Sequence, residues 1–95
     1  MGERESGKSI VRRVSASLSA VTLSAADFYR VGFIIHNDST AVLWGKFGTG
    51  ASPTDFTFRC GPQGSFEHRT GRVHRGIVTG VWDTADGAAQ VTELS

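Results

Sequence analysis

Short apolar segments alternate with turn-forming residues along the chain from Ile10 to Leu94. The segments are rich in Val, Ile, Thr, Phe and Trp, and clusters of Gly, Asn, Asp, Ser and Pro separate them, which is typical of β-strands joined by turns. The predicted strands are Ile10–Ser17, Ala20–Ser24, Tyr29–His36, Ala41–Phe47, Asp55–Cys60, Ser65–His68, Gly76–Trp82 and Gln90–Leu94. This pattern predicts an all-β domain, a small β-sandwich or jelly-roll-like barrel of about eight short antiparallel strands.

Two kinds of strand are predicted from the parity of the apolar positions. Phe56, Phe58 and Cys60 share one parity and polar residues take the other, which indicates one buried and one exposed face. Tyr29–His36 and Ala41–Phe47 are apolar in both parities, which predicts that both faces are covered, inside a sandwich or at a subunit contact. The best helix candidate, Leu23–Tyr29, covers no more than about two turns.

Three short segments predict where the chain reverses. Asn37-Asp38-Ser39 fits an Asx-type turn, and Gly61-Pro62-Gln63-Gly64 fits a tight turn. Asp83–Gly87 ends in Asp-Gly, where glycine provides the positive φ of a hairpin loop, so the last two strands are predicted to pair. Trp82, directly before this turn, is expected to be buried.

Composition and charge limit the classes of function. We predict a flexible or partner-ordered N-terminal arm over Met1–Ser9, which has no aliphatic side chain apart from its first residue, and one domain over 10–95. Ten Lys and Arg residues against nine Asp and Glu residues give a net charge of +1, so no membrane partner is expected and nucleic acid is not favoured. Cys60 is the sole cysteine and fits a reducing compartment.

The sequence offers little that could carry catalysis. Gly2–Ser9 matches the phosphate-binding pattern GxxxxGK[ST], but no strand precedes it and the residues after it favour a strand, so we expect no nucleotide site. Cys60 and the three histidines lack the spacing of a zinc site or a nucleophile with its base. We therefore expect no enzymatic activity, no metal and no cofactor.

Positive charge is concentrated between His68 and Arg75, where three arginines and two histidines occur without an acidic residue. This stretch fits a solvated loop, a loop that docks on an acidic protein surface, or a local contact with nucleic acid. The second interpretation, together with the charged arm, gives a set of candidate partner-binding residues: Arg4, Lys8, Arg69, Arg72 and Arg75.

From Arg30 onward the chain resembles a family of small virion proteins of tailed bacteriophages. Three motifs carry the resemblance: an R-x-G strand that ends in N-D-S, an L-W-x-K-F-G-x-G-A-S segment, and a terminal G-I-x-x-G-x-W segment followed by A-D-G and V-T-E-L. The matching residues are Arg30, Gly32, Ile35, Asn37–Ser39, Leu43, Trp44, Lys46–Gly48, Gly50–Ser52, Gly76, Ile77, Gly80, Trp82, Ala85–Gly87, Ala89 and Val91–Leu94. Among these, the residues expected to define the fold are Asn37, Trp44, Phe47, Trp82, Asp86 and Gly87.

The resemblance implies a structural role in the virion. Proteins of this kind look like capsid decoration or cement subunits that trimerise on the head, which implies two partners: further copies of the same chain, and the major capsid protein or another virion protein. A tail, neck or fibre-attachment module is the alternative virion role. A receptor- or carbohydrate-binding module is a further alternative, and exposure of Trp44 or Trp82 would favour it.

Overall fold

The computed structural model describes residues 9–68 and 73–95, and these residues form eight β-strands and no helix. The strands are β1 (Ser9–Ser15), β2 (Val21–Ser24), β3 (Gly32–Asp38), β4 (Leu43–Phe47), β5 (Phe58–Cys60), β6 (Ser65–His68), β7 (Val78–Trp82) and β8 (Ala88–Leu94). Each predicted segment contains or overlaps one of these strands. Ser9, predicted to belong to the arm, is the first residue of β1 and pairs with Leu94.

The strands form two four-stranded sheets in which all neighbours are antiparallel. The first sheet has the order β1-β8-β3-β6 and the second has the order β2-β7-β4-β5. Only β4 and β5 are consecutive in the chain and paired, so every other connection crosses from one sheet to the other. This is the strand order of a jelly roll, and the predicted fold class is confirmed.

The predicted hairpin between the last two strands is wrong. β7 pairs with β2 and β4, whereas β8 pairs with β1 and β3, so Asp83–Gly87 crosses between the sheets. All five residues of β7 are buried, as expected for a strand in the interior of a sheet. Its two edges are paired with β2 and β4, so β8 cannot pair with it. Gly87 does adopt a positive φ of 81°, and a Cβ there would collide with the carbonyl oxygen of Asp38.

The helix candidate is also wrong. Leu23 and Ser24 end β2, and an Asx turn follows in which the Tyr29 amide donates to the Asp27 carboxylate at 2.9 Å. This local bond satisfies a backbone donor that a helix would otherwise use.

The segment around Phe56 differs from the prediction as well. β5 begins only at Phe58, and Phe56 is 43% exposed in the preceding loop. Ser52 and Asp55 bridge each other in that loop, so Asp55 is bonded within a local turn and does not extend the ladder. The predicted alternation therefore holds only for the buried side chains of Phe58 and Cys60.

The core lies between the two sheets. Its large members are Leu23, Phe33, Ile35, Leu43, Phe58, Val78, Trp82 and Val91. Trp82 is 2% exposed, which confirms its predicted burial. Phe47 extends the core at one margin, where its ring stacks on His74 with 4.6 Å between the centroids.

The outer faces of both sheets remain partly open in the single chain. Ile34 of β3 and Trp44 of β4 point away from the core and are half-buried. The prediction that β3 and β4 are covered on both faces is therefore not met within one chain.

Replacing Trp82 by Ala should destabilise the domain by about 3–5 kcal/mol, because the change leaves a large cavity and removes an indole hydrogen bond. Urea unfolding followed by circular dichroism gives the value. Leu18→Ala is the control: Leu18 is 66% exposed, and its truncation should change stability by less than about 0.5 kcal/mol. Equal effects of the two changes would contradict the described core.

Candidate interaction surface

Alternate connections of the chain lie at opposite ends of the sandwich. We call one the Asn37 end, formed by the connections β1–β2, β3–β4, β5–β6 and β7–β8. The other is the Arg30 end, formed by β2–β3, β4–β5 and β6–β7. This arrangement follows from the register, in which Asp38 pairs with Ala88 at one limit of β8 and Gly32 pairs with Leu94 at the other.

The Asn37 end is held together by the buried side chain after which we name it. Its amide nitrogen lies 2.7–3.2 Å from three backbone carbonyls that it donates to, those of Ala41, Cys60 and Gly61. Its carbonyl oxygen accepts from the Ser39 hydroxyl at 2.7 Å and from the Trp82 indole at 3.0 Å. Asn37 belongs to β3 and is fully buried, whereas the sequence predicted it in an Asx turn. Its side chain links β3 to the β3–β4 connection, to the end of β5 and to β7.

Asp86 and Gly87, two other residues expected to define the fold, also lie at this end. The Thr40 hydroxyl donates to the Asp86 carboxylate, which ties the β3–β4 connection to the β7–β8 connection. Gly87 packs against the backbone next to Asn37, as described above. The sequence motifs therefore identify real contacts at this end.

The Arg30 end depends on a fully buried arginine that the sequence did not single out as a site. Its guanidinium donates to the Ser24 hydroxyl at 2.6 Å and to three backbone carbonyls, those of Ala25, His74 and Gly76. These bonds join the β2–β3 connection to the β6–β7 connection. Two signals in the sequence point to Arg30: it opens the R-x-G motif, and it is a lone cation between Tyr29 and the apolar start of β3.

Glu93 balances the buried charge of Arg30. Its carboxylate lies 3.6 Å from the Arg30 guanidinium, accepts from the Ser24 hydroxyl and is bonded by Arg12 at 2.9 Å. Burial lowers the pKa of Arg30, and the negative charges of Glu93 and Asp27 oppose that shift. Because an arginine keeps its proton in proteins, the group remains a cation inside the domain.

Of the five candidate partner-binding residues, Arg4, Lys8, Arg69 and Arg72 lie outside the described residues, and Arg75 lies at the Arg30 end. The Arg75 Nε donates to the carbonyl of Arg30 at 3.1 Å, and the Arg75 carbonyl accepts from the Asp27 amide at 2.9 Å. Its guanidinium lies 5.9 Å from the centre of the Phe28 ring. Arg75 therefore supports its own domain as well as facing solvent.

An exposed apolar group lies beside Arg75, and sequence reasoning missed it by assigning these residues to a strand or helix. Phe28 and Tyr29 are each 76% exposed, with their rings edge to face at 5.5 Å, and Val31 is 52% exposed. We call Phe28, Tyr29, Val31 and Arg75 the aromatic patch. Ile10 and Val11 of the edge strand β1 are also exposed towards this end, since Ser9 and the Val31 amide both bond to the last residue of β8.

A ladder of polar side chains crosses the outer face of the first sheet. Arg13 bonds Asp38 at 3.0 Å and Gln90 at 3.1 Å, and His36 bonds Ser65 at 2.8 Å. Hydrogen bonds from Arg13 and from Gln63 lower the pKa of Asp38. The half of this face next to the Asn37 end is therefore mainly a network of the domain with itself.

The remaining candidates for chemistry are also engaged in structural contacts. Cys60 is buried, and burial raises the pKa of its thiol, so the reactive thiolate is disfavoured. His68 accepts the His74 amide at 3.1 Å through Nε2. Over residues 9–68 and 73–95, His, Cys, Asp and Glu side chains form no group of three that could hold a metal ion. In the same residues no helix is long and apolar enough to cross a membrane.

Comparisons with protein-family models, with curated proteins and with solved structures found no match.

Replacing Arg30 by Leu should destabilise the domain by about 3–5 kcal/mol, because it leaves the Glu93 carboxylate and three carbonyls without their buried partner. Arg30→Lys should recover only part of the loss, since an ammonium cannot span the same acceptors as a planar guanidinium. Denaturant unfolding measures both. A lysine variant as stable as the parent would show that charge alone accounts for the role of Arg30.

The bonds to Asp38 predict a dependence of stability on acid. Since the pKa of Asp38 is lower in the folded state, its contribution is fully present above its ordinary pKa of about 3.9 and is lost as the pH falls through the folded-state value. The difference in urea midpoint between the parent and Asp38→Asn should therefore be constant from pH 7 to about pH 5 and shrink below about pH 4. A difference that grows on acidification would contradict the assignment.

Proposed function

We propose that this protein is a structural component of a tailed-bacteriophage virion, a capsid decoration protein that binds the head shell and stabilises it. The observation that carries the proposal is the aromatic patch, in which two adjacent aromatic side chains stay exposed on a domain whose ends are both fixed by buried polar side chains. Apolar side chains in such a position are typical of surfaces that bind other proteins.

The fold supports this role through its rigidity. A cement subunit has to hold its shape while it bridges neighbours, and its stabilising effect comes from the area buried at its contacts, without chemistry. The eight-stranded double sheet, the buried aromatic core and the closed ends meet that requirement. The capsid is proposed as the partner because the sequence motifs resemble those of small tailed-bacteriophage virion proteins.

We further propose that the protein forms a homo-oligomer, a trimer in the decorated particle. Support comes from Ile34 and Trp44, which leave apolar surface on the outer faces of the two sheets. A domain of 95 residues has little further mass to cover such surface. Sedimentation at micromolar concentration should give a species of about three chains, and a stable monomer would contradict this part of the proposal.

Neither tryptophan has the full exposure that a carbohydrate-binding module would require. Trp82 is 2% exposed, and Trp44 is half-buried in the face proposed for self-association. A tail or neck position would give a low copy number, whereas decoration of the head places many copies on the shell. Localisation and copy number in purified virions, measured by cryo-electron microscopy, decide between head and tail.

A truncated chain that lacks residues 1–8 tests the attachment part of the proposal. The truncation leaves β1 intact, because that strand begins at Ser9. We expect its melting temperature to match that of the parent and its binding to undecorated heads to be weaker. Raised salt should weaken the arginine-dependent part of the binding in both proteins. Normal decoration by the truncated chain at all salt concentrations would contradict this model of attachment.

A further inference from the structure

We infer that the aromatic patch is the surface that docks on the larger partner, and that its target is an apolar site on a protein, bordered by carboxylates. The inference rests on the proposed function for the identity of that partner, and on the contacts of residues 27–31 and 75 for the chemistry. In this arrangement the two aromatic rings form the centre of the attachment surface, and the cation of Arg75 lies beside them.

The backbone beneath the rings is already fixed in the free domain. The Asp27 and Val31 amides donate to the carbonyls of Arg75 and Leu94 at 2.9 and 2.8 Å, and the Arg30 amide closes a turn onto the Asp27 carbonyl at 3.2 Å. Arg30, between Tyr29 and Val31, is the fully buried anchor of this end. Since the loop is held by its own bonds, docking would cost little backbone entropy.

The side chains that this loop presents are those that contribute most at protein interfaces. Tyrosine, phenylalanine and arginine are enriched there, and aromatic and arginine anchors dominate the binding energy. Phe28 and Tyr29 are more exposed than any other large apolar side chain among the described residues. Arg75 adds a cation next to the Phe28 ring.

The charge of this end sets the charge of the partner. Arg75 uses its Nε for the Arg30 carbonyl, and its terminal nitrogens have no hydrogen-bond partner within residues 9–68 and 73–95. They remain available for a carboxylate, which arginine binds with two parallel bonds. The same connection carries Arg69 and Arg72 and no acidic residue, and the one acidic residue next to the rings, Asp27, accepts the Tyr29 amide through its carboxylate. A complementary partner surface is therefore acidic.

Charge also argues against two other partners for the aromatic patch, a second copy of this chain and a nucleic acid. Two copies that met patch to patch would bring Arg75 of each close to the other, which opposes a symmetric self-contact. A nucleic acid would need a wider basic face than a chain of net charge +1 provides. The outer faces of the two sheets, which carry Ile34 and Trp44, are the surfaces proposed for contacts between copies.

Four variants of the full chain test the inference through binding to undecorated heads. Phe28→Ser combined with Tyr29→Ser should weaken binding by at least about tenfold, and Arg75→Glu should do the same and reduce the salt dependence. The matched controls are Leu18→Ser, an exposed apolar side chain at the Asn37 end, and Ser19→Glu, which places a carboxylate at the neighbouring exposed position of the same end. Both controls should bind within about twofold of the parent.

Melting temperatures show whether the variants are folded, which is expected for the aromatic pair because both side chains are largely exposed. Binding of the double aromatic variant within about twofold of the parent would overturn the inference while leaving the proposed function intact. Failure of the parent itself to bind heads would instead overturn the proposed function.

If the parent protein does not bind heads, a second measurement still tests which kind of target the aromatic patch binds. Amide chemical shifts of the labelled parent are followed during titration with a short peptide in which Glu alternates with Leu, and with a thymidine oligonucleotide of the same length. We expect the peptide to shift the amides of residues 27–31 and 75, and the double aromatic variant to lose those shifts. Shifts spread elsewhere, or a stronger response to the oligonucleotide, would overturn the acidic, apolar target.

Discussion

The fold depends most on the hydrogen bonds made by one buried amide, the side chain of Asn37. Four connections cross between the sheets at that end, and such crossings leave backbone carbonyls that no strand neighbour can bond. An asparagine side chain offers two N–H donors and a carbonyl acceptor in one small plane. It satisfies the β3–β4 and β5–β6 crossings and holds the Trp82 indole, so the largest core side chain is positioned by the same group.

Arg30 solves the same problem at the opposite end with a charged group. Its guanidinium donates to the carbonyls of Ala25, His74 and Gly76 as well as to the Ser24 hydroxyl, since a guanidinium carries five donors on a long stem. Using arginine here buries a positive charge, which the Glu93 carboxylate of β8 balances at 3.6 Å. Each end of the sandwich is therefore closed by one buried polar side chain. Arg30 lies two residues before β3, and Asn37 is the second-to-last residue of that strand.

The sequence predicted the strands well and their partners poorly. Apolar segments and turn residues are local signals, so all eight strands could be placed, and the positive φ of Gly87 followed from Asp-Gly. Pairing is non-local: the same Asp-Gly turn serves a hairpin or a crossing between sheets, and the residues around the turn do not distinguish the two. Asn37 stood out through its motif. Arg30 belongs to a motif too, but its buried role was not predicted, and neither was the exposure of Phe28 and Tyr29. These properties depend on chain segments more than forty residues away.

The neighbouring positions of Arg30 and the aromatic rings link the stability of the fold to its proposed use. Tyr29 points to solvent and Arg30 points into the domain, so the bonds that close the sandwich also fix the loop that carries the rings. An exposed aromatic pair on a flexible loop would collapse onto the nearest apolar surface or lose entropy on binding. Here the buried arginine holds the backbone, and the rings remain available to a partner. A change at Arg30 should therefore weaken docking as well as folding, whereas a change at Phe28 or Tyr29 affects docking alone.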